Sequence, residues 1–122
     1  MNIVFGNTVE TLQSRFMCLE LDTFKDPQTK ELHTAWCVVN NIPLDEMAIA
    51  DHLRQAHQDL MRDYRDREWQ RCRDAIHGLR GRWNGEVDSF YDILLARIND
   101  ISDQPLEPDW DGSILGKVDH TQ

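Results

Sequence analysis

Between Ile49 and Ile101 the large apolar residues recur at steps of three and four. Ile49, Leu53, Ala56, Leu60 and Tyr64 form one run, and Trp69, Cys72, Ile76, Leu79 and Trp83 form a second. Val87, Phe90, Tyr91, Leu94, Ile98 and Ile101 form a third. A period near 3.6 places each run on one side of a helix. Such stripes are buried only against one another or against a sheet, so this half of the chain is committed to a helical layer. The punctuation agrees. Asp45 is a good N-cap for a helix over 45–64, and a second helix over 67–79 starts near Asp66. Gly78 and Gly81 weaken its end, and Asn84-Gly85 turns the chain. A third helix over 86–102 follows, and Pro105 and Pro108 forbid its continuation.

The N-terminal half changes period. From Phe16 to Phe24, Met17, Leu19 and Leu21 alternate with Cys18, Glu20 and Asp22; from Leu32 to Val39, Leu32, Thr34, Trp36 and Val38 share a face. Asp26-Pro27-Gln28-Thr29 between them is type I turn chemistry. The pattern predicts a β-hairpin over about 16–24 and 32–39. Pairing Asp26 with Glu31 sets Leu19 opposite Val38 and Leu21 opposite Trp36, which gathers the large apolar residues on one face. Trp36 is then expected to pin the hairpin to the helices, and the opposite face, with Ala35, Cys37 and Val39, is mixed. Two strands alone are marginal in water, so the hairpin leans on the helices. Residues 1–14 read as a flexible arm or a short edge element, and 103–122 as an irregular proline-rich acidic tail. The expected fold is α+β: one domain over 1–122, with a two-stranded hairpin packed on three helices. The open hairpin edge offers a route to homo-oligomers.

A length of 122 residues with 40% apolar content suffices for one modest core. No run of 18 apolar residues occurs, and Met1–Val9 lacks the basic and apolar regions of a signal peptide, so a cytoplasmic protein without membrane association is expected. The net charge of −9 disfavours nucleic acid and anionic membranes as partners. The charge is uneven. Residues 62–82 hold seven arginines against four acids, whereas 86–122 hold nine acids against two bases. The acidic end is therefore either a solvated surface or a tail that folds back on the Arg-rich helix. Cys18, Cys37 and Cys72 have apolar neighbours and unmatched spacing, which suits buried thiols better than a disulfide framework.

Few residues offer chemistry. His52 and His57 lie five apart on a helix and diverge around its axis, so they do not make a metal pair, and neither Cys-x-x-Cys nor His-Glu-x-x-His occurs. No cofactor or metal is expected. His33 and Cys37 share a strand face but sit about 13 Å apart at strand rise, too far for proton transfer. Glu86, Asp88 and Asp92 complement the dipole of the third helix. Gly78 to Gly85 is the one glycine-rich stretch ahead of a helix. Arg80, Gly81, Arg82 and Gly85 are its candidate anion-binding residues, although it lacks the phosphate-loop pattern and follows a helix. Trp110, flanked by Asp109 and Asp111, is either a plug into the parent domain or an anchor for a partner, with Trp69 as a docking residue.

Two resemblances attach to these motifs. Tyr64, Trp69, Cys72 and Ile76, then Asp88, Leu95-Ala96-Arg97-Ile98 and Pro108-Asp109-Trp110-Asp111-Gly112, resemble the tetratricopeptide-like tail of bacterial class III adenylate/guanylate cyclases. The resemblance covers residues 64–112. Cys72 replaces the alanine usual there, and Gly81–Gly85 departs from the Asp/Pro-rich turn. It implies a helix–turn–helix and, without a catalytic domain, no cyclase activity. Leu21–Phe24, Thr34–Val39 and Trp83–Tyr91 resemble segments of small tailed-bacteriophage proteins, which implies a protein made inside an infected bacterium.

The expectation is a small non-enzymatic protein-interaction module, a phage accessory factor, whose partner is a protein. One alternative is a small-anion or nucleotide binder using the Arg80–Gly85 loop; another is an acidic DNA mimic.

Overall fold

Asp26 organises the reversal at the centre of the sheet. Its carboxylate accepts hydrogen bonds from the Gln28 and Thr29 amides at 2.8 and 3.2 Å, and its own N–H donates to the Glu31 carbonyl at 2.9 Å. Strands β2 (Met17–Lys25) and β3 (Leu32–Val39) flank this turn in a computed structural model that describes residues 1–6, 8–40 and 42–115. Near the turn the register is the expected one, with Lys25 opposite Leu32 and Thr23 opposite Thr34. Between Glu20 and Thr23 it shifts by one residue, so Leu19 faces Cys37, not Val38, and Trp36 lies opposite Glu20, not Leu21. An extra residue in β2 is a bulge, and it exchanges the faces. Leu19 and Leu21 join Ala35, Cys37 and Val39 in the main core.

The shift corrects the expectation for Trp36. It does not reach the helical layer; with Cys18 and Val38 it turns to the opposite face. That face is covered by the first residues of the chain. Strand β1 (Asn2–Phe5) pairs antiparallel with β3, and helix α1 (Thr8–Leu12) folds over it, bringing Val4, Val9 and Leu12 onto Trp36. A second correction follows. The sheet is not a bare hairpin: its order is β1-β3-β2-β4, where β4 (Ile114–Leu115) runs parallel to β2 against Phe24 and Lys25. Both hairpin edges expected to be open therefore carry a neighbour, β1 along β3 and β4 at the end of β2.

The helical layer holds α2 (Ala50–Arg65), α3 (Trp69–Leu79) and α4 (Asp88–Ile101), so with α1 the described residues form four α-helices where three were expected. The first stripe begins late. Residues Leu44–Ile49 form a 3-10 turn, and no side chain caps it or α2. Glu46 explains the tighter winding: it is buried, it accepts from the Trp83 amide at 3.0 Å, and it pairs with Arg82 at 3.6 Å. Ile49 is consequently exposed, and the buried face of α2 is Ala50, Leu53, His57, Leu60, Met61 and Tyr64. The second and third stripes are buried as spaced, with Cys72, Ile76, Leu79 and Trp83 facing Val87, Phe90, Tyr91, Leu94 and Ile98 in one core. Asp103–Ser113 is irregular, and residues 116–122 of the expected tail lie outside the described residues. No helix among the described residues is long and apolar enough to cross a membrane.

At the centre of that core stands His57, fully buried. Its Nε2 lies 2.5 Å from the carbonyl oxygen of Glu20, the last residue paired before the register shift, and its Nδ1 lies 2.9 Å from the Tyr91 hydroxyl. A carbonyl only accepts, so Nε2 carries the proton and bare Nδ1 accepts from Tyr91. One neutral imidazole thereby ties α2 to β2 and α4. Burial pulls its pKa from the ordinary 6.5 down to about 4. Burial likewise pushes the Cys37 thiol up to about 11 and Cys72 up to about 12, as befits inert core thiols.

A lowered His57 pKa means that the unfolded chain takes the proton first. Stability is complete above the ordinary histidine range and declines as pH falls from about 6.5 toward 4. Urea unfolding at pH 5 is expected to give a stability about 2 kcal/mol below that at pH 7.5. A flat profile across that interval would contradict the buried neutral imidazole.

Candidate functional site

Helices α2 and α3 meet at Asp66–Glu68, where Arg67 adopts a left-handed φ of 62°. The sharp turn sets Tyr64, at the end of one helix, beside Trp69, at the start of the next, with ring centroids 5.9 Å apart. Trp110 closes the group edge-on, 5.4 Å from Tyr64 and 5.8 Å from Trp69. The Arg67 guanidinium stands 5.4 Å from the Trp110 centroid and donates to the Glu107 carbonyl at 2.7 Å. Offset aromatic pairs contribute about 0.5–1.5 kcal/mol each beyond burial, and the cation adds a smaller amount.

The chain then crosses Tyr64 and Arg65 through Gly112. This residue is buried with φ +83°, and a Cβ there would meet Arg65 Cγ and Tyr64 Cε2 at 3.4 Å. Asp111 pairs with Lys25 at 3.4 Å and accepts from the Ser113 amide and hydroxyl, which hold its carboxyl below the usual range. Asp109 is exposed. Trp110, Asp111 and Trp69 are thus gathered at one seat within the chain, with Asp109 at its outer side.

The Arg80–Gly85 residues are also brought together, but their donors are engaged. Arg80 makes a two-pronged contact with Asp92 at 2.9 and 3.1 Å and approaches Asp88 at 4.0 Å. The Gly81 amide donates to Asp88 at 2.8 Å, and Arg82 pairs with Glu46. Gly81 and Gly85 serve the turn with φ of +88° and +74°. The carboxylates occupy the directions from which an anion would bind. The Asp92 and Asp88 that seal this loop are acids that the sequence assigns to the helix dipole.

A third feature is an apolar groove of about 200 Å³ between the sheet and α4. Phe5, Leu21, Phe24 and Phe90 line it, and Ile3 and Ile93, 50% and 56% exposed, stand at its rim. Among the described residues that line it, the one charged side chain is that of Asp22, held by Arg97 through paired contacts of 2.8 and 3.1 Å, with the Tyr64 hydroxyl 3.5 Å from the same guanidinium. Spacing gave no sign of this groove, because it depends on β1 lying beside β3. The sequence separation of 75 between Asp22 and Arg97 likewise hid that pair.

Among the described residues no group of three or more His, Cys, Asp or Glu side chains is placed to hold a metal ion. No protein-family model matches the chain, and neither does any curated protein or solved structure.

Replacing Trp110 by alanine is expected to cost about 2 kcal/mol in denaturant unfolding, since it empties a half-buried aromatic seat. Trp110→Phe should recover most of that loss. An unchanged midpoint for Trp110→Ala would show that the tail does not rest on the domain.

Proposed function

We propose that this chain is a small protein-interaction module without catalytic activity. The observation that carries the reading is the groove between β1 and α4: apolar floor, apolar rim, and its single carboxylate already neutralised. On a chain of net charge −9, a mainly apolar recess whose carboxylate is already paired is a place where a partner docks with little charge to desolvate. Its volume suits one or two large aliphatic or aromatic side chains of a partner protein, the arrangement in which a few anchors carry most of the affinity. The 3-10 turn adds a second apolar ridge in Leu44 and Met47, 85% and 59% exposed. In this reading α2 and α3 are a tetratricopeptide-like hairpin. The setting is the cytoplasm of an infected bacterium, as the resemblance to phage proteins implies.

The alternatives draw less support. An anion at Arg80–Gly85 would have to displace Asp88, Asp92 and Glu46. A DNA mimic needs a stripe of unengaged carboxylates, whereas Glu20, Asp22, Glu46, Asp92 and Asp111 are each paired with a cation.

Ile93→Asp tests the reading, because the side chain is exposed enough to leave stability within about 0.5 kcal/mol. Affinity capture should recover a protein with the native chain and lose it with Ile93→Asp, while the melting temperatures stay matched. The same profile from both chains would contradict docking at the groove.

A further inference from the structure

The tail rests on the domain through a few discrete points. Trp110 stands against Tyr64 and Trp69, Glu107 is held through its carbonyl by Arg67, Asp111 meets Lys25, and two residues of β4 run beside β2. The chain that delivers these contacts, Asp103–Pro105, is exposed. Charge is complementary across the contact. The seat contributes Lys25, which pairs with Asp111, and Arg67, which holds the Glu107 carbonyl, whereas residues 105–115 carry Glu107, Asp109 and Asp111 and no base. The seat also reads a sequence. An aromatic residue at 110 meets both rings, and the left-handed φ of +83° two positions later, beside Tyr64 and Arg65, favours glycine. The domain thus seats the chain's own acidic Trp-Asp-Gly segment, with strand addition at the end of β2.

We propose that this seat exchanges occupants between molecules, and that its second occupant is the 105–115 segment of another copy of this chain. The contacts are the same in the closed and exchanged forms, so their energies cancel and concentration decides between them. A short tether gives the chain's own tail an effective concentration in the millimolar range, so the closed monomer prevails at roughly micromolar protein. Removing that competitor opens the seat. This surface shares Phe24 with the β1–α4 groove, but the exchange does not depend on a partner docking in that groove.

The test uses two full-length variants. Trp110→Ala keeps the seat and loses the plug; Trp69→Ala keeps the plug and damages the seat. The first, isotopically labelled, is titrated with the second, unlabelled, and followed by amide NMR. Saturable shifts at Phe24, Tyr64 and Arg67 are expected, and they should vanish when the titrant also carries Trp110→Ala. No shifts, or shifts that survive in that doubly substituted titrant, would overturn the proposal. Should Trp110→Ala fail to fold, Lys25→Asp and Asp111→Lys, each mismatched within its own chain, form the second pair. Their mixture should sediment as a 1:1 dimer of twice the monomer mass that dissociates in high salt, with each variant monomeric alone. Two monomers in the mixture would overturn the proposal.

Discussion

Much of this fold hangs on one buried imidazole. His57 reaches from α2 to the Glu20 carbonyl, beside the register shift in β2, and to the Tyr91 hydroxyl on α4. Leaving a buried carbonyl or hydroxyl without a partner costs about 1–3 kcal/mol, and His57 satisfies both groups while spending no charge. The tie has a geometric consequence. The bulge next to Glu20 decides which residues of β2 and β3 face the helices, so the imidazole helps to fix which hydrophobic set enters the core.

Longer-range contacts are layered on that centre. The Asp22–Arg97 pair joins β2 to α4 at the groove, and Arg65 pairs with Glu20 from the end of α2. Side-chain accessibilities of 14% and 23% shield Asp22 and Arg97 from solvent. Breaking such a pair strands a desolvated charge, so it fixes geometry more firmly than the exposed contacts of the Arg80 loop. The tail completes the assembly from outside: Trp110 covers the α2–α3 junction, and β4 extends the sheet by two residues. Lys25 pairs with its Asp111, and Arg67 holds the Glu107 carbonyl.

The helical layer was largely legible because period 3.6 is a local signal. Leu53, Leu60 and Tyr64, and then Cys72 to Leu79, are buried where their spacing puts them. The turn at Asp26 was legible for the same reason. What escaped was non-local. The bulge that turns Trp36 away from the helices has no residue marking it between Glu20 and Thr23, since no glycine lies there. Residues 1–14 read as a flexible arm or a short edge element, which left open the pairing of Asn2–Phe5 with β3. His57 sits four residues after Leu53 and seven before Tyr64, squarely on the stripe, but a polar residue there draws a comparison with His52 before one with its apolar neighbours. The candidate residues around Trp110 and Arg80 stood out by composition, whereas the carboxylates that occupy the Arg80 loop and the groove on β1 exist only through the tertiary fold.

The tautomer and ionisation of His57 decide whether a neutral imidazole ties α2 to β2 and α4. Long-range nitrogen–proton correlation of the imidazole, followed through a pH titration of the native chain, reads both. A proton on Nε2, bare nitrogen at Nδ1, and a neutral ring persisting well below pH 6 are the predicted result. A proton on Nδ1, or a ring that titrates near 6.5 as an exposed histidine does, would contradict the account.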